Sequence, residues 1–61
     1  MDPRQILCLR EDLGLGVVAF AVRVGVARMT VFRWETGRSA PRGLQLVRLQ
    51  ELERGLKRGR P

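Results

Sequence analysis

The chain has 61 residues, which is room for one domain. It carries twelve lysines and arginines, six aspartates and glutamates, one cysteine and no histidine, for a net charge of +6. That inventory leaves no internal disulfide and no multi-cysteine zinc site. It also gives hydrolytic or redox chemistry almost no side chains to work with, so no enzyme, metal or other cofactor is expected.

A chain this short buries only about 60% of its unfolded surface, so a second copy would help it. The longest apolar run, LGLGVVAFAV over 13–22, is too short and glycine-rich to span a membrane. Asp2, Arg4 and Arg10 surround no apolar leader region, so a cytoplasmic protein is the default. Eleven of the twelve cations are arginine. Arginine forks match phosphates and guanine edges, where lysine acts as a point charge. A GC-rich genome would give the same bias, so the argument must rest on where the arginines lie.

The first helix is expected over 3–13. Asp2 is a good N-cap, Pro3 fits the first helical position, and Gln5 sits where a capping box needs it. Ile6, Leu7, Leu9 and Leu13 form its inward stripe, and Gly14 ends it. Cys8 reads as a small buried or half-buried residue.

The centre of the chain is VVAFAVRVGVARMTVFRWETG, 17–37. It reads as a helix over 17–24, a tight turn at Gly25, and a helix over 28–36 closed by Gly37. Phe20, Ala21, Val24, Val26, Val31 and Trp34 mark the shared buried side. Only glycine takes a left-handed residue after a helix without steric cost. This is the outline of a helix-turn-helix. On the second of these helices Arg28, Met29, Thr30, Phe32 and Arg33 point outward. Arginines beside small and apolar groups suit the edges of DNA bases.

The loop RSAPR follows, and Pro41 should open a fourth helix over about 41–54. Leu44, Leu46, Val47, Leu49 and Leu52 give it a broad apolar face. Gly55 and Leu56 repeat the stop signal of Gly14–Leu15 and Gly25–Val26, which leaves 55–61 as a basic, frayed tail. No strand signal or repeat is visible. The fold class expected is all-α, a compact four-helix bundle with a central helix-turn-helix, with the domain over 1–54.

The segments LREDLGLG (9–16), FA (20–21), VGVA (24–27) and TVFRWETGR (30–38), with Pro41, resemble the Cro/repressor-type, XRE-like helix-turn-helix domains. The resemblance covers roughly 4–53. The chain departs from the family pattern at Val17, Val18 and Ala19, which are usually polar or acidic, and at Ala27, where a serine or threonine cap is usual. The resemblance implies double-stranded DNA as partner, with the second helix of the pair in the major groove. It also implies a structural ion pair between Arg10 and Glu35.

Site residues follow. Arg28, Met29 and Arg33 are expected to read base edges, the last two being four apart on one helix face. Val17 sits where the family can touch DNA, and a valine offers only apolar contact, for instance to a thymine methyl. Gly16 and its neighbours, at a helix N-terminus, together with Thr36, Arg38, Ser39 and Arg42, are expected on phosphates. Val18 and Val22 point outward one turn apart, and with Leu46, Leu49 and Leu56 they form the candidate interface of a homodimer on an inverted-repeat operator. A small repressor or autoregulator is the leading expectation. The alternative is a protein-interaction module of antitoxin-like or polymerase-binding type, favoured by the valines of the second helix.

Overall fold

Asp2 starts the first helix as its sequence dictates. Its carboxylate accepts from the Gln5 N–H at 2.8 Å, and the Gln5 amide oxygen accepts from the Asp2 N–H at 2.9 Å. The computed structural model describes the backbone of residues 1–58 and the side chains of residues 1–56. Four helices follow one another: α1 (Pro3–Asp12), α2 (Val17–Val24), α3 (Arg28–Glu35) and α4 (Leu44–Arg58). No strand occurs among the described residues, so the molecule is an all-α bundle.

Three helices end by the same device. The residue after a glycine of positive φ reaches back five positions: Leu15 N–H to the Arg10 carbonyl, Val26 N–H to Ala21, and Arg38 N–H to Arg33. Each bond satisfies a carbonyl that the helix end would otherwise leave open. Gly25, at φ 86°, makes the turn between α2 and α3.

Ile6, Leu9, Phe20, Ala21, Val24, Val31, Trp34 and Leu49 form the buried core. Met1, Leu13, Leu15, Val17, Val26, Leu52 and Leu56 pack against it. α3 lies on both α2 and α1, while α4 leans on α2. Ala21, a small residue, is buried in the core with Phe20 and Val24.

α4 departs from expectation at both ends. It begins at Leu44, not Pro41, because Pro41 is itself buried and Gly43 adopts φ 59°. It also runs through Gly55 to Arg58, four residues beyond the end expected at 54. Leu49, Leu52 and Leu56 recur at helical spacing against the core. That packing outweighs the roughly 1 kcal/mol a glycine costs inside a helix. Residues 59–61 of the expected tail lie outside the described residues. Two α1 readings also change: Leu7 is exposed, and so is Cys8. The core takes only the Ile6 and Leu9 side of this short helix.

Candidate nucleic-acid interface

The α2–α3 unit is held from behind. The Arg10 guanidinium bridges α1 to the end of α3, its Nε donating to Glu35 Oε2 at 2.7 Å and its Nη2 to Oε1 at 3.3 Å. Its Nη1 also donates to the Leu15 carbonyl at 3.2 Å. The hydrogen bond to Glu35 raises the Arg10 pKa above its usual value, with partial burial opposing it. Arg10 is therefore a fixed cation, and Glu35 is a structural carboxylate rather than a group offered to a ligand.

A second tether was not visible in the sequence. Arg48 of α4 donates from Nη1 to the Val24 carbonyl at 2.9 Å, closing the C-terminus of α2. The guanidinium lies over Gly25 so closely that a Cβ there would run into it. Nothing in the local pattern of α4 distinguishes Arg48 from its other cations. Only the chain crossing brings it to Val24.

With those supports in place, α3 turns Arg28, Met29, Phe32 and Arg33 to solvent. Val31 and Trp34 take the opposite side into the core. The structure gathers Val17, Arg28, Met29 and Phe32 around one shallow hollow between the start of α2 and the face of α3. Three of those four were expected at a reading surface. Phe32 was expected only to point outward, and it lines the same hollow. Arg33 is exposed but does not line it.

Gly16 is exposed and extended at the head of α2. Neither α2 nor α3 has a side-chain cap, since Gly16 and Ala27 supply no oxygen. No side chain therefore neutralises the positive ends of these two helices. Arg38, Ser39 and Arg42 are exposed in the segment between α3 and α4. Thr36 has a job inside the protein: its hydroxyl caps α3, within 2.9 Å of the Phe32 carbonyl and 3.3 Å of that of Arg33.

The interface residues split. Val18 and Val22 are open, at 58% and 75% exposure. Leu49 is fully buried and cannot meet a partner, and Leu56 packs against the core. Leu46 is half-buried. The apolar side chains that α4 exposes are instead Leu44 and Val47. The core uses the 49–52–56 stripe, which turns 44 and 47 outward.

No helix among the described residues is long and apolar enough to cross a membrane, and no cluster of potential metal ligands occurs among them. Comparison with protein-family models, curated proteins and solved structures finds no match.

Proposed function

We propose that the chain is a sequence-specific binder of double-stranded DNA, a small cytoplasmic repressor or autoregulator of the Cro/repressor type. The carrying observation is the distribution of charge around α3. Residues 16–43 contain Arg23, Arg28, Arg33, Arg38 and Arg42, and their one carboxylate, Glu35, is engaged by Arg10. On this reading Arg28 and Arg33 reach base edges from α3, and Arg38, Ser39, Arg42 and the uncapped start of α2 meet phosphates on either side. Two copies would bind an inverted repeat with readers about 34 Å apart, one turn of DNA. Val18, Val22, Leu44 and Val47 supply apolar surface for pairing.

The test is binding to selected and random duplexes over a range of salt. A dimer neutralising about eight phosphates should give a log–log salt slope of roughly −7. Arg33→Ala should lose preference for the selected site, while Arg42→Ala should weaken all duplexes alike. A binding constant unchanged between low and moderate salt would overturn the reading.

The exposure of Val18 and Val22 favours a second reading, a protein-interaction module. Under it, Val22→Asp abolishes partner capture while Arg33→Ala has no effect. Under DNA binding, Arg33→Ala carries the loss.

A further inference from the structure

The open face of α3 carries more apolar surface than contact with phosphates requires. Met29 and Phe32 are each 53% exposed. Arg28 and Phe32 are four residues apart and Met29 and Phe32 three, so all share one strip of the helix. Val17 completes the hollow from α2. Arg28 stands in its lining, and the segment that carries it, 16–43, has five arginines and one carboxylate, Glu35, which Arg10 neutralises. A polyanion that carries a small apolar group suits both features. The major groove of duplex DNA carries one such group, the C5 methyl of thymine.

We propose that the hollow of Val17, Met29 and Phe32 receives a thymine methyl in the major groove, with Arg28 at its rim donating to N7 and O6 of a neighbouring guanine. The proposal rests on the reading of α3 as a groove helix and adds the base it selects. The unbranched Met29 side chain can adjust around a single methyl. Cytosine at the same position leaves the hollow unfilled. Burying one methyl corresponds to about a four-fold gain in affinity.

The experiment uses the tightest duplex selected from a random pool, with each thymine replaced singly by deoxyuridine, which removes only the methyl. One thymine per half-site should show a loss of about four-fold. Phe32→Ala and Met29→Ala, both at exposed positions and checked for folding by circular dichroism, should bind the thymine and deoxyuridine duplexes equally. Tight binding that no deoxyuridine substitution alters, or a selected site without a fixed thymine, overturns the methyl assignment and leaves DNA binding standing. Methyl sensitivity that persists in both variants moves the methyl away from this hollow and overturns it too. No affinity for any duplex at low salt overturns both readings.

Discussion

The middle of the chain and its two ends are built from similar residues and do opposite things. Between residues 16 and 43, five arginines face one carboxylate, and that carboxylate is spent on Arg10. In the rest of residues 1–58, Asp2, Glu11, Asp12, Glu51 and Glu53 nearly balance six cations. The groove between α1 and α4 is lined by Asp2, Asp12 and Glu53 against Arg4, the reverse of the α3 face. The net charge of +6 is thus concentrated where the shortest helices lie. The arginines of the ends are partly structural, since Arg10 and Arg48 both reach inward to hold α3 and α2. The difference teaches that the same side chain is a tether in one half and an exposed charge in the other. Its partner decides which.

The sharpest way to break this division is to attack the tethering half. Leu49 is fully buried at the α4 contact with the core. Leu49→Ala should cost about 2–5 kcal/mol, enough to unfold much of so small a domain. Met29→Ala, on the exposed face, should change the melting temperature little. Similar melting curves for the two variants would mean that α4 is not part of the core. Because Leu49 is buried, a substitution there disturbs folding and cannot test assembly. Val22 and Val47 are the positions for that purpose.

Glu35→Ala comes next. It removes the carboxylate hydrogen-bonded to Arg10 and leaves the bond to the Leu15 carbonyl, and a loss of about 1–3 kcal/mol is expected from a half-buried charge deprived of its partner. The double variant with Arg10→Ala should lose less than the sum of the two singles. Additive losses in thermal melts would show that the pair contributes no coupling.

Much of this architecture is readable from residues alone, for local reasons. Each cap or stop closes hydrogen bonds within a span of six residues, so Asp2, Gln5, Gly14, Gly25 and Gly37 could be read directly. The inward set of α2 and α3 was readable because each helix has few apolar residues to assign. α4 was not, because leucine and valine occupy positions on most of its face. Its phase depends on where the helix starts, and Pro41 suggested a start three residues early. Gly55 looked like a stop because the local signal does not contain the pull of Leu52 and Leu56 on the core. At the candidate site, Arg28, Met29 and Val17 were legible as neighbours. Phe32 was read as exposed but not as a lining residue, because only the packing of α3 beside the start of α2 brings it next to Val17. Arg48 was beyond reach, since its acceptor lies 24 residues away.

The smallest effect expected lies on the seam between the two halves, at Arg48. Its bond to the Val24 carbonyl is short but partly solvated, so Arg48→Ala should cost only about 1 kcal/mol. In a domain of this size that is a fall of about 4–8 °C in melting temperature. Gly25→Ala is strained in two ways. Alanine in a left-handed conformation costs about 1–2 kcal/mol, and its Cβ must displace the Arg48 guanidinium. Displacing the guanidinium also breaks the bond to Val24, so both single variants lose the same interaction. The double variant should therefore be more stable than the sum of the singles implies, retaining only the backbone cost at residue 25 and one lost hydrogen bond. If α3 reads DNA as proposed, affinity for duplex should follow the folded fraction, because neither residue belongs to the proposed reading face. Strictly additive melting losses would mean that the arginine does not rest on Gly25. A loss of affinity beyond the unfolded fraction would place the α2–α4 seam in the interface.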